Sequence, residues 1–140
     1  MKRIISVGLV LLGASLWVAC QQEEETPTKK AEEATYTVID VQQLHEMLQG
    51  KDFILINVHI PYAGEIPQTD LFIPYNEIEQ NTDRLPEDKS AKLVLYCRSG
   101  PMSATAVKSL VKLGYTRVFD VQGGMRAWQA AGYELTDEPK

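Results

Sequence analysis

The sequence predicts an α/β domain, a parallel sheet with helices packed on it, over residues 35–136. Three observations predict it. Short β-branched or apolar runs alternate with segments of helical periodicity, the pattern of strand–helix–strand units with right-handed crossovers. Two of those runs, within residues 53–58 and 92–96, are close to continuously apolar, as strands buried on both faces must be. The second run ends in Cys97, a Gly/Pro-containing turn follows, and a helix then begins, so a thiol stands where a strand's carboxyl end meets a helix's amino end. With 140 residues, 44% of them hydrophobic, the chain suits one compact domain with tails.

The elements follow in order. Tyr36, Thr37, Val38 and Ile39 form a short β-branched strand. Asp40 with Gln43 three residues on reads as a capping box, and Val41, Leu44 and Leu48 make the inner face of a helix ending at Gly50. Residues 53–58 are the next strand. An irregular stretch from His59 to Pro74 holds two apolar islands, read as a short strand and loop packing. Residues 77–81 read as a turn of helix and 83–89 as a loop. Residues 92–96 are the central strand. The following helix spans 103–113, with Val107, Leu110 and Val111 inward and Gly114 just past its end. Residues 118–121 are the last strand, Gly123–Gly124 turns the chain, and 125–131 form a short helix whose Trp128 packs on the core. The acidic tail after Leu135 is expected to fray.

The N-terminus stands outside the domain. Lys2 and Arg3 precede an apolar run from Ile4 to Ala19, shorter than the roughly 20 residues a spanning helix needs, and small residues end it. Cys20 follows at once. Leu16–Trp17–Val18–Ala19–Cys20 resembles the lipobox of bacterial lipoproteins, although Trp17 stands where Leu is usual. That resemblance implies a signal peptide over residues 1–19, lipid on Cys20, and a bacterial envelope location facing away from the cytoplasm; an uncleaved anchor or plain secretion is the alternative. Residues 20–34 are polar and charged without a large apolar side chain, hence a flexible tether. Without Lys2 and Arg3 the 14 basic residues fall to 12 against 19 acidic, a net charge near −7. No basic stripe remains, so neither nucleic acid nor anionic lipid is an expected electrostatic partner, and membrane attachment would run through Cys20. There are two cysteines. With Cys20 lipidated, Cys97 is the sole thiol and has no partner for an internal disulfide.

At the Cys97 turn, backbone N–H groups converge and the helix dipole is positive, which favours an anion and eases ionisation of a thiol. Arg98 adds a positive charge. Against this stand plainer readings: Cys97 as a small buried hydrophobe, Arg98 as a solvated charge, and Ser103 as an ordinary helix N-cap. His59, at a strand's carboxyl end, lines the pocket, acts on protons, or simply caps local backbone. His45 lies among polar neighbours and reads as solvated. Cys97 and the two histidines make no metal spacing, and Gly123–Gly124 lacks any phosphate-loop pattern.

Tyr96–Cys97–Arg98–Ser99–Gly100 with Ser103–Ala104 opening a helix resembles the active loop of single-domain rhodaneses. Elsewhere in the chain, Val121–Gln122–Gly123–Gly124–Met125–Arg126–Ala127–Trp128 followed by Ala131–Gly132–Tyr133, Leu55–Ile56–Asn57–Val58–His59, and Gly64–Glu65–Ile66–Pro67 closed by Ile73–Pro74 resemble other segments of the same family. The resemblance covers residues 35–135. It implies a three-layer fold with a five-stranded, mostly parallel sheet flanked by helices. It also implies sulfur transfer: Cys97 takes sulfane sulfur from a small-molecule donor such as thiosulfate, forms a persulfide, and passes it to a thiol or other thiophilic acceptor, without metal or organic cofactor. Arg98, Ser99, Gly100, Pro101, Met102 and Ser103 would form the loop that cradles the anion, with Asn57 and His59 as possible pocket residues. A monomer is expected.

Departures from the family pattern bear on the donor. Met102 stands where many members carry an oxyanion-binding Arg, and Pro101 removes one N–H from the loop. Asn57 and His59 replace the usual Asp and Arg, and Glu65 the usual His. Related folds host cysteine phosphatases, whose loop is one residue longer and ends in arginine; six residues beyond Cys97 stands Ser103, which disfavours that chemistry. The remaining rival is a degenerate rhodanese-like binding module.

Overall fold

The computed structural model describes residues 35–139; the expected signal segment (1–19) and the Cys20 tether (20–34) lie outside them. The elements are strand β1 (Thr37–Ile39), helix α1 (Val41–Gln49), β2 (Ile54–Asn57), β3 (Leu71–Phe72), a 3-10 helix (Glu79–Arg84), β4 (Lys92–Tyr96), α2 (Pro101–Lys112), β5 (Arg117–Val121) and α3 (Gly124–Ala130). The five strands form one sheet in the order β1-β5-β4-β2-β3, and every pairing is parallel. The expected α/β fold is therefore present.

Strand alternation divides the core between two layers of helix. From β4, Leu93, Leu95 and Cys97 face the layer of Ala106, Val107 and Leu110 of α2, together with Ile56, Val58 and Val118. Val94 and Tyr96 face the opposite layer, where Leu44 and Leu48 of α1 meet Met125 and Trp128 of α3. The α1 start is the expected capping box: the Gln43 N–H donates to Asp40 Oδ1 at 2.8 Å, and the Asp40 N–H donates to Gln43 Oε1 at 2.9 Å.

Four details depart from the sequence reading. Helix α2 begins at Pro101 rather than at Ser103. Proline suits the first helical position because its missing N–H belongs to a group that helix starts leave unpaired. The turn expected at 77–81 is displaced to Glu79–Arg84, held by Arg84 Nη1 donating to the Phe72 carbonyl at 2.9 Å. The tail does not fray directly after Leu135, since Thr136 and Glu65 exchange two 2.8 Å backbone hydrogen bonds in an antiparallel bridge. His45 is half-buried, stacked on the Tyr133 ring at 4.3 Å with Trp128 beside it, so it is not simply solvated.

Beneath the sheet's central strand, Tyr96 fastens the irregular stretch that follows β2. Its hydroxyl accepts the buried Ile66 N–H at 3.0 Å and lies 2.7 Å from Thr69 Oγ, which itself donates to the Ile66 carbonyl at 2.6 Å. Thr69 has one proton and gives it to Ile66, so Tyr96 donates to Thr69. Burial pushes the Tyr96 phenol far above its ordinary value. Tyr96→Phe leaves the buried Ile66 N–H without its acceptor and is expected to cost about 1–3 kcal/mol, read by urea denaturation. An unchanged denaturation midpoint would contradict this account.

Candidate active site

Strand β4 delivers Cys97 with 1% of its surface exposed, at the carboxyl edge of the sheet. The chain then turns through Arg98, Ser99 and Gly100, and α2 starts. Gly100 sits at φ 123°, a left-handed-side conformation that glycine tolerates best, where the loop turns into α2, and its N–H donates to Cys97 Sγ at 3.0 Å. Burial pushes the Cys97 thiol up. The Ser103 N–H, the Gly100 N–H, the Ser103 hydroxyl and the Ser99 N–H outweigh it, and the thiol ends below its ordinary value. Thiolate therefore persists to lower pH than for a free cysteine and is lost as pH falls through the shifted value.

The loop residues divide by role. Ser99, Gly100 and Ser103 direct polar groups at the sulfur. Pro101 offers no N–H and is exposed at the helix start. Met102 is half-buried and packs on the α2-side core. Arg98 is exposed, and its positive charge is felt by His59. Ser103 lies within the first turn of α2, fully buried, with its hydroxyl 3.0 Å from the Gly100 carbonyl. Gly100 occupies the N-cap position, so Ser103 is not the cap.

His59 and Asn57 take different places. The Val58 N–H donates to the Tyr96 carbonyl at 3.0 Å, carrying the β2–β4 pairing past the strand ends and setting His59 alongside the active loop. His59 is 8% exposed, and its Nδ1 has no hydrogen-bond partner among the described residues, so it does not cap backbone through that atom. Burial, then the Arg98 charge, lower its pKa and favour the neutral imidazole. Asn57 is fully buried: its Oδ1 accepts the His59 N–H at 3.0 Å and its Nδ2 donates to the Gly64 carbonyl at 3.2 Å. It braces the loop that carries His59.

Two features of the site were not singled out as functional in the sequence. The amino end of α3 grips the active loop: the Met125 N–H donates to the Cys97 carbonyl and the Arg126 N–H to the Arg98 carbonyl, each at 2.9 Å. Gly124, at φ 51°, lies so close against the Cys97 carbonyl that no Cβ fits. Asp120, on β5 next to Leu95, is 7% exposed on the α2 side. An acidic residue inside an apolar strand was the available signal. Among the described residues, no group of three or more His, Cys, Asp or Glu side chains is arranged to hold a metal ion.

Known proteins resemble this chain in sequence and in fold. The rhodanese-like domain family matches residues 25–131. A sulfurtransferase of Allochromatium vinosum is 34% identical over 101 residues, covering 69% of this chain and 92% of its own. The thiosulfate sulfurtransferase GlpE of Glaesserella parasuis is 28% identical over 98 residues, covering 69% of this chain and 89% of its own. The crystal structure of a rhodanese-related protein from Thermoplasma volcanium superimposes with a TM-score of 0.63 at 29% identity, over 74% of this chain and all of that one.

The contact at Gly124 yields a direct test. Gly124→Ala is expected to push the Cys97 loop off α3, lower the melting temperature by several degrees, and slow alkylation of Cys97 by about tenfold as the N–H groups leave the sulfur. A variant that melts and alkylates like the parent would remove α3 from the account of the site.

Proposed function

The chain belongs to the rhodanese-like domain family, and from that premise we propose that it is a sulfurtransferase carrying sulfane sulfur on Cys97 as a persulfide. The observation that carries this reading is the thiol held below its ordinary value with the Gly100 N–H aimed at Sγ from 3.0 Å. In the first half-reaction the Cys97 thiolate attacks the outer sulfur of the donor. The Cys97–sulfur bond forms, the donor's sulfur–sulfur bond breaks, and its electron pair leaves with sulfite, or with a thiolate where the donor is a persulfide. In the second, an acceptor thiolate attacks the outer sulfur of the Cys97 persulfide and the pair returns to Cys97. Splitting one displacement into two gives ping-pong kinetics. The negative charge stays on sulfur throughout, and the Ser99, Gly100 and Ser103 groups stabilise it as an oxyanion hole stabilises oxygen.

Donor choice follows from the charge that the loop and its neighbour His59 offer. Met102 brings no charge to a dianionic donor, and His59 favours the neutral form, so the donor we propose is a small-molecule persulfide in preference to thiosulfate. A small thiol is the proposed acceptor. The lipid on Cys20, and with it an envelope location on the extracytoplasmic face, belongs to the same proposal and rests on residues outside those described.

Intact mass after incubation with glutathione persulfide, and separately with thiosulfate, tests the chemistry beside a Cys97→Ala control. The expected outcome is a gain of one sulfur on the parent, faster from the persulfide, and none on the control. Met102→Arg is expected to raise the rate with thiosulfate by about tenfold, the scale of one added charge-assisted hydrogen bond. No adduct from either donor, with Cys97 reduced and the chain folded, would replace the transferase with a binding module.

A further inference from the structure

The Ser103 hydroxyl has one proton and three acceptors around it. The Gly100 carbonyl lies 3.0 Å away. The Cys97 sulfur and the Asp120 carboxyl both feel the same hydroxyl. Asp120 is an unusual partner for a hydroxyl that also serves a reactive sulfur. It is more than nine-tenths buried, and its Oδ1 has no hydrogen-bond partner among the described residues. A carboxylate left in that state is costly, and a carboxylic acid much less so. Burial accordingly raises its pKa, with Ser103 partly offsetting the rise. Val38 of β1 and Leu95 of β4 flank it in the sheet, and Ser103 faces it from α2; none of these carries charge, so Cys97 is the titratable group that shares its hydroxyl.

We propose that Asp120 is a positioning residue that decides, through Ser103, whether the Cys97 sulfur receives the Ser103 proton. As an acid, Asp120 donates to Ser103 Oγ, and the Ser103 hydroxyl turns to the strongest acceptor left, the thiolate or persulfide. As a carboxylate, Asp120 accepts the Ser103 proton itself and sets a second negative charge near the sulfur. The two ionisations are therefore coupled, each opposing the other. The sulfur is best held while Asp120 keeps its proton, and the hold weakens as pH rises through the carboxyl's raised range. This inference rests on the reading of Cys97 as the sulfur carrier.

The test is alkylation of the full chain with iodoacetamide from mildly acidic to mildly alkaline pH, read on the Cys97 peptide by mass spectrometry. Wild type is expected to show a broad, two-step rise. Asp120→Asn, uncharged and still a donor, is expected to show one steeper step at lower pH. At the pH where the curves differ most, its alkylation is expected to be several-fold faster, up to about tenfold for each pK unit. Ser103→Ala is expected to move the rise to higher pH and to reduce the effect of Asp120→Asn to less than half. Superimposable curves for wild type and Asp120→Asn, or an undiminished effect without Ser103, would overturn the assignment. Should Asp120→Asn not fold, the carboxyl carbon resonance of Asp120 in wild type decides: its titration is expected to shift when Cys97 is alkylated, and an unmoved titration overturns the proposal. Sulfur loading is measured in parallel from both donors. Loading with superimposable alkylation curves would overturn the Asp120 assignment alone. Coupled titration without loading would overturn the transferase and leave Asp120 controlling a thiol of another use.

Discussion

The grip of α3 on the active loop is the constraint on which the site depends. A trans peptide points its carbonyl and its N–H in opposite directions. Drawing the Arg98 carbonyl onto the Arg126 N–H therefore turns the Ser99 N–H the other way, toward the sulfur. The glycine at 124 permits the approach, because any side chain there would meet the Cys97 carbonyl. Two elements distant in sequence thus cooperate: β4 supplies the thiol, and the β5–α3 turn orients the backbone that makes the thiol acidic.

The electrostatics are a contest between burial and polar contact, and the outcome differs at each of three groups. At Cys97 several N–H groups and a hydroxyl outweigh burial. At Asp120 one hydroxyl does not. At His59 burial and the Arg98 charge act in the same direction. The proposed donor preference follows from this balance, since the site stabilises one negative charge on sulfur and offers little to a second. Met102 sharpens that limit, since its half-buried side chain packs against the core and brings no charge to the loop.

The crossover after β2 shows how the fold supports the site from below. Asn57 braces the loop through His59 and Gly64, Tyr96 holds Ile66 and Thr69, and the Glu65–Thr136 bridge ties in the chain's end. At 57, where the resembling family usually carries Asp, the Asn57 amide hydrogen-bonds backbone on both sides. His59 is left free to stand beside Arg98.

Much of this protein was legible in its sequence. Binary patterning placed the strands and helices, since buried strands and amphipathic helices carry different periods. Asp40 with Gln43 marked the start of α1, and Cys97 at a strand's end before a Gly/Pro turn marked the candidate site. These signals are local: each depends on residues within one element or one turn. The start of α2 at Pro101, the burial of Ser103, the bridge of Thr136 to Glu65 and the stacking of His45 were not legible, because each depends on a partner far along the chain. Asp120 and Gly124 carry the same lesson. Sequence showed an acid in a strand and a glycine in a turn. Only the packing of β5 beside β4, and of α3 against the loop, decided that one would share a hydroxyl with the sulfur and the other would admit the backbone that activates it, because such contacts exist only once the chain has folded.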